Sequence, residues 1–176
     1  NDCLNLRIDD VSESAHNEKV FHFNLNSILI DLADVAQAKR PLELSASFFK
    51  NNLSYLSGII PLHEYYYNWG NALKSLYRVK RTKDSSLLRP ELAQILIEAK
   101  DLYWMAYKES SSPSNSLITN LASTLSVCGR IVEALQFYDK VLEVSPNFGQ
   151  AHISRGIDLD WLRRLSSVYS IQQAVE

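Results

Sequence analysis

The sequence of 176 residues is poor in the residues that close tight turns or cross-link chains, with five glycines, five prolines and two cysteines. So little glycine and proline argues against a sandwich or barrel and favours helices. Cys3 lies near the N-terminus and Cys128 within an apolar helical pattern, so they do not indicate a disulfide framework, and we expect a reducing, cytoplasmic setting. No apolar run reaches the roughly 18 residues of a membrane span, and no signal peptide is recognisable.

An excess of charge of one sign is also missing. The 18 lysines and arginines nearly balance the 20 aspartates and glutamates, so no global attraction to nucleic acid or an anionic membrane is expected. The four histidines form neither an HExxH motif nor a metal-ligand pair with cysteine. Phosphate-binding glycine loops, GxSxG motifs and Cys–His nucleophile arrangements are absent as well. The sequence therefore predicts a non-enzymatic protein without cofactor or metal.

The N-terminal third predicts one helical hairpin. Residues 1–19 are polar and are predicted to be mainly a loop. Residues 20–60 predict a pair of helices, the first from Phe23 to Lys39 and ended by Pro41, the second from Leu42 to Leu56 with Gly58 as its stop. The apolar residues that recur at helical spacing in the first of these helices are Ile28, Leu29, Leu32, Val35 and Ala36.

Residues 115–148 predict two short amphipathic helices around Gly129, with Ser114 positioned as an N-cap. They match the pattern W-x2-L-G-x2-Y…A-x3-F…P in register. The matching residues are Ile118, Leu121, Ala122, Leu125, Ala134, Tyr138 and Pro146. This stretch resembles a tetratricopeptide (TPR) repeat.

Because a repeat of this kind cannot bury its apolar face alone, neighbouring copies are expected. The upstream copy, residues 61–113, matches at Tyr66, Trp69, Gly70 and Leu73 and carries an insertion near residues 80–90. The downstream copy, residues 149–176, is partial, with a helix to about Leu165 and the start of another. The resemblance implies an all-α fold of seven or eight helices, arranged in antiparallel pairs as a right-handed superhelix.

The resemblance also implies that the first helix of each pair lines a concave face that binds a peptide or partner protein. Residues off the packing stripe of these helices are expected there, in a largely polar groove. They are Glu64, Tyr67, Asn71, Lys74, Ser116, Thr119, Asn120, Ser123, Gln150, Ile153, Ile157 and Asp160. TPR domains that grip a C-terminal carboxylate also use cations, whose places here hold Tyr67, Gln150 and Ser154, so that subtype is not expected. An aromatic run consists of Tyr65, Tyr66, Tyr67 and Trp69. Of these residues, Tyr66 and Trp69 are expected in the core with Leu73.

Two alternatives stay open. Residues 63–160 are more weakly similar to bacterial proteins in which TPR helices precede a HEPN-type nuclease, which would make this chain a regulatory half that lacks the catalytic Arg–His pair. Nucleic acid would then meet the basic cluster, which is expected in the inserted loop and consists of Arg78, Lys80, Arg81, Lys83 and Arg89. Separately, the apolar side of the last helix, marked by Val168, Ile171 and Val175, predicts self-association or a C-terminal continuation.

Overall fold

The computed structural model describes the backbone of residues 2–56, 58–83 and 90–175, and the side chains of residues 13–56, 58–82 and 90–168. Within these backbone ranges the chain forms eight α-helices and no strand, so the predicted all-α class is confirmed. The chain divides into two compact units, Asn1–Glu109 and Ser110–Glu176. The superhelical arrangement stays a prediction.

The first unit contains five helices. In chain order they are α1 (Asp2–Val35), α2 (Lys39–Asn51), α3 (Leu53–Leu56), α4 (Leu62–Lys83) and α5 (Pro90–Glu109). Helix α4 is central to the unit, because it packs against α5, α2 and α1.

The loop predicted for residues 1–19 is wrong, because α1 begins at Asp2. Residues 13–18 of this helix are all exposed, so its polar turns have no buried face and show no apolar periodicity. The end predicted at Lys39 is also wrong. Gln37 adopts a positive φ of 51°, while the Ala38 amide donates to the Ala33 carbonyl over 2.8 Å. This is the Schellman geometry of a helix end.

The core of the first unit lies on the opposite side of α1 from the apolar row that recurs at helical spacing in the sequence. Phe23, Ile30 and Ala33 are buried, whereas Ile28, Leu32 and Val35 are exposed. Along α2, Leu44 is likewise exposed. The buried residues of α2 are Leu42, Ser45, Ala46 and Phe49.

Aromatic packing joins α2 to α4. The rings of Phe49 and Tyr65 meet edge to face at 5.5 Å, and the Tyr65 hydroxyl donates to the Phe49 carbonyl oxygen. Burial raises the pKa of Tyr65 to about 12. Leu73 is buried as predicted, whereas Tyr66 and Trp69, also predicted in the core, are half-buried and pack against it.

Helices α4 and α5 approach each other closely at Gly70. A Cβ atom on Gly70 would lie 2.9 Å from Cε1 of Tyr103, which is fully buried. The helices are 22 and 20 residues long, against 13 and 14 for the pair that follows in the chain. Many of the additional residues of the upstream copy therefore lengthen its two helices.

The second unit consists of α6 (Asn115–Val127), α7 (Ile131–Val144) and α8 (Gly149–Val175). As predicted, the Ser114 hydroxyl caps α6 by accepting the Leu117 amide hydrogen over 3.2 Å, and Gly129 ends that helix with φ +85°. Most of the residues that match the TPR pattern lie in the core, and these are Leu121, Ala122, Leu125, Ala134 and Tyr138.

Helix α8 packs on α7 and α6. Ala151 and Asp158 are buried, but no side chain between residues 159 and 168 is buried. The helix continues without interruption from Gly149 to Val175, so the break predicted near Leu165 is wrong.

Candidate functional site

Four polar residues share one face of α4. Tyr67, Asn71, Lys74 and Arg78 follow one another at intervals of four, three and four residues, which places them on one side of a helix. We call this set the α4 strip. Three of its members were predicted from the sequence as peptide-binding residues. The fourth prediction on this helix, Glu64, is exposed one turn nearer to the N-terminus.

Side chains from α5 and α1 hold the α4 strip. The hydroxyl of Tyr103 donates to Asn71 Oδ1 over 2.8 Å, and the Tyr103 and Tyr67 rings lie 6.1 Å apart at 53°. Lys74 Nζ lies 6.0 Å from the centre of the Tyr103 ring, within reach of a cation–π contact. At the far end of the strip, Arg78 forms an ion pair with Asp34 of α1. Three helices thus fix the strip.

Burial perturbs the ionisable groups in and around the α4 strip. Burial, together with the neighbouring Arg78 charge, lowers the pKa of Lys74 to about 8, although Asp34 acts in the opposite direction. Asp34 gives one oxygen to Arg78, while its other oxygen is buried without a hydrogen-bond partner among the described residues. Burial also raises the pKa of Tyr103 well above its usual value. Groups perturbed in this way occur often at functional sites.

The arrangement suits recognition of an extended chain. Asn71 contributes a half-buried amide and Lys74 a half-buried ammonium group, which are groups that can hydrogen-bond to a peptide. Because Tyr103 holds the Asn71 amide oxygen, the orientation of that amide is defined before anything binds.

The predicted basic cluster does not lie in a loop. Arg78, Lys80, Arg81 and Lys83 all belong to α4, and Arg89 lies outside the described residues. Arg78 pairs with Asp34, and Lys80 Nζ lies 3.5 Å from the Glu43 carboxylate of α2. Arg81 is exposed. Arg78 and Lys80 are therefore engaged with acidic groups of the same unit.

The predicted binding residues of α6 are less accessible than expected. Thr119 is fully buried, and its hydroxyl oxygen has no hydrogen-bond partner among the described residues. The prediction that it faces solvent or a ligand is wrong, because α7 and α8 both pack on this short helix. Ser116, Asn120 and Ser123 are half-buried.

The predicted residues of α8 form a mixed surface rather than a polar one. Gln150, Ile153 and Ile157 are exposed. Asp160 is half-buried. Its Oδ1 accepts a hydrogen bond from Arg163 Nη2 over 2.9 Å, and its Oδ2 lies 2.7 Å from Arg164 Nε. The hydrogen bond from Arg163 lowers the pKa of Asp160. The exposed isoleucines continue into further exposed apolar residues, Trp161, Leu165 and Val168.

Sequence reasoning missed one polar residue in the second unit. Asp158 of α8 is only 4% exposed; its Oδ1 accepts from the Ser126 hydroxyl over 2.6 Å, and its Oδ2 has no hydrogen-bond partner among the described residues. Burial raises the pKa of Asp158. The pKa of Tyr138 is raised by burial and, to a smaller extent, by the neighbouring Asp158 charge. Only its spacing of seven residues from the buried Ala151 could have pointed to this position.

Comparison with known proteins finds no family model that matches the chain and no curated protein similar to it. Among the described residues, no three His, Cys, Asp or Glu side chains gather as ligands for a metal ion. In the same part of the chain, each helix is too short or too polar to cross a membrane. The site must therefore be interpreted from its own chemistry.

Proposed function

We propose that this protein is a non-catalytic interaction module that binds an extended, acidic peptide segment of a partner protein along the α4 strip. The resemblance of residues 115–148 to a TPR repeat favours the same class of function. The observation that carries the proposal is the α4 strip itself, in which polar groups are held in place by α1 and α5 instead of being left to water.

The chemistry of the strip defines the ligand. An extended peptide offers backbone C=O groups that can accept hydrogen bonds from the Asn71 amide. An acidic side chain of the peptide would lie against Lys74, where a negative charge compensates the ammonium group that burial disfavours. Because the strip is already ordered, little conformational entropy is lost on its side of the complex.

The ion pairs of Arg78 and Lys80 favour peptide binding over a nucleic-acid sensor. A sensor of the nuclease-associated type needs cations that can meet phosphates. In this unit Arg78 and Lys80 instead meet Asp34 and Glu43.

The proposal is tested by selecting binders from a random peptide display library with the full chain as bait. A selected synthetic peptide is then titrated calorimetrically against the wild type and Lys74→Met. A charge-assisted hydrogen bond contributes about 1.5–3 kcal/mol, so we expect Lys74→Met to weaken binding by about tenfold or more. Methionine retains the apolar length of the lysine side chain, which limits loss of packing.

The matched control is Lys80→Met, on the same helix but paired with Glu43. We expect it to bind the selected acidic peptides like the wild type. A selection that enriches no peptide, or peptides that bind all three proteins equally, would contradict the proposal.

A further inference from the structure

Helix α1 carries apolar residues on two opposite sides. Phe23, Ile30 and Ala33 belong to the core of the first unit. On the other side, five large apolar side chains are 40–85% exposed, and these are Phe21, Leu25, Ile28, Leu32 and Val35. We call these five residues the α1 seam. A single exposed apolar residue needs no explanation, but a contiguous row of five does.

The spacing of the α1 seam is that of a coiled coil. Its residues follow one another at intervals of four, three, four and three, as do the a and d positions of a heptad repeat. In heptad terms, Leu25 and Leu32 occupy a positions, and Phe21, Ile28 and Val35 occupy d positions. A repeat of 3.5 keeps such a row in contact with a second helix along its whole length. The seam therefore favours a helix as its partner over a globular surface.

The residues that flank the seam permit an identical helix as that partner. The e and g positions on its two sides carry one acidic residue, Asp31, beside uncharged residues such as Asn24, Leu29 and Ala36. In a parallel pair Asp31 meets Ala36 of the other copy, and in an antiparallel pair centred on Ile28 it lies near Asn24. Neither arrangement places two like charges opposite each other.

The size of the seam fits a weak but specific dimer. Exposures of 40–85% on five side chains amount to roughly 500 Å² of apolar surface per chain, at the upper end of what monomers expose. With the helix atoms beside the seam, two copies would bury a total near the lower limit of specific interfaces, about 1,200 Å². An isolated helix of two heptads is too short to be stable in water. Helix α1 is stabilised independently of a dimer, because it packs against α2 and α4.

We infer that the α1 seam packs against the α1 seam of a second copy of this chain, as a two-stranded coiled coil joining two molecules. Upstream, the next a position is occupied by the exposed Glu18, so the contact covers residues 21–35. The seam and the α4 strip are separate features, and the inference does not depend on the proposed function.

The inference is tested by sedimentation equilibrium of the full chain from about 1 to about 300 µM, the range in which interfaces of this size associate. Leu32→Lys places a charge in the seam, and Leu44→Lys is its matched control. The two leucines lie in the same unit and are 62% and 63% exposed, so neither substitution removes core packing. We expect the wild type and Leu44→Lys to dimerise and Leu32→Lys to sediment as a monomer over the whole range.

Val35→Lys provides a second seam variant at the most exposed of the five positions, and helix content by circular dichroism verifies that each variant is folded. A third variant, Ile157→Lys, addresses the exposed apolar row of α8. A wild type that is monomeric throughout overturns the inference. The inference is also overturned if the wild type dimerises and both seam variants still dimerise. It is likewise overturned if Ile157→Lys dissociates the dimer and the seam variants do not.

Discussion

Asp158 and Ser126 join α8 to α6 through one hydrogen bond, in which the Ser126 hydroxyl donates to Asp158 Oδ1 over 2.6 Å. The other Asp158 oxygen is buried without a hydrogen-bond partner among the described residues. Burial raises the pKa of this carboxyl, although the bond from Ser126 acts in the opposite direction. The charged form is thus less stable in the folded protein than in the unfolded chain.

This relationship predicts how stability depends on pH. Because the folded pKa of Asp158 lies above the unfolded one, its contribution to the free energy of unfolding is complete below the unfolded pKa. This contribution is lost as pH rises through the folded pKa. In Asp158→Asn the amide oxygen can still accept from Ser126, but no charge is buried. We expect this variant to resist opening of α6–α8 better than the wild type at pH 7, by about 1 kcal/mol. The difference should shrink as pH falls through the folded pKa of Asp158.

Hydrogen exchange measured by mass spectrometry on peptides from α6–α8 reports this opening within the full chain. Asp139→Asn is a suitable control, because Asp139 is exposed and lies 2.7 Å from Arg155. It should not increase protection at pH 7. An Asp158→Asn variant that exchanges faster than the wild type at neutral pH would contradict the prediction.

Replacing two glycines of the second unit by alanine should change the free energy of unfolding in opposite directions. Gly129 has a φ of +85° with open space around its Cα, so Gly129→Ala adds backbone strain without a clash and should destabilise by about 1 kcal/mol. Gly156 lies within α8, also in open space and without a positive φ, so Gly156→Ala should stabilise by about 0.5–1 kcal/mol. Chemical denaturation of the full chain measures both. Equal signs would contradict this reading of the two backbones.

The sequence predicts those parts of the fold in which a single apolar stripe meets clear end signals. In the second unit, Leu121, Leu125, Ala134 and Tyr138 lie in the core as their spacing predicts, and Gly129 ends its helix in the expected conformation. These features are local, because a periodic stripe and one glycine each determine the structure beside them.

The sequence fails where burial is not decided locally. On α1, Ile28 and Leu32 belong to the row that the helical spacing brings out, yet they are exposed, whereas Phe23 and Ala33 are buried. Composition cannot tell which of two apolar sides packs within the unit. The α4 strip was found on its own helix, but the contributions of Asp34 and Tyr103 come from distant parts of the chain and required the tertiary structure.

The close approach of α4 and α5 predicts a specific coupling between Gly70 and Tyr103. In Gly70→Ala the new methyl group would lie 2.9 Å from the Tyr103 ring, which is fully buried and hydrogen-bonded to Asn71. Overpacking of this kind costs about 1–3 kcal/mol, so we expect a net loss of about 1 kcal/mol after the gain in helix propensity.

A double-mutant cycle with Tyr103→Leu measures this coupling by urea denaturation of the full chain. The smaller leucine gives the methyl group space, so Gly70→Ala should be nearly neutral or stabilising in that background. An equal loss in both backgrounds would mean that the ring is not the obstacle.

Lys74 should lower the stability of the folded protein while it contributes to peptide binding. Its folded pKa of about 8 lies below the usual 10.5, so burial disfavours the charged form. The resulting penalty is complete below pH 8 and diminishes as pH rises from about 8 towards 10.5, where the folded lysine is neutral and the unfolded lysine is still protonated. We therefore expect Lys74→Met to unfold at higher urea than the wild type at pH 7, with a gain on the order of 1 kcal/mol that becomes smaller at pH 9.5.

Lys80→Met is the matched control, because it removes an ion pair with Glu43 and should give no gain at pH 7. If Lys74→Met is more stable and yet loses the selected peptide, the lysine is retained for recognition, since packing alone would favour its replacement. If Lys74→Met is less stable than the wild type, the ammonium group is stabilised by Asp34 and the Tyr103 ring, and the α4 strip would then be a structural element of the first unit.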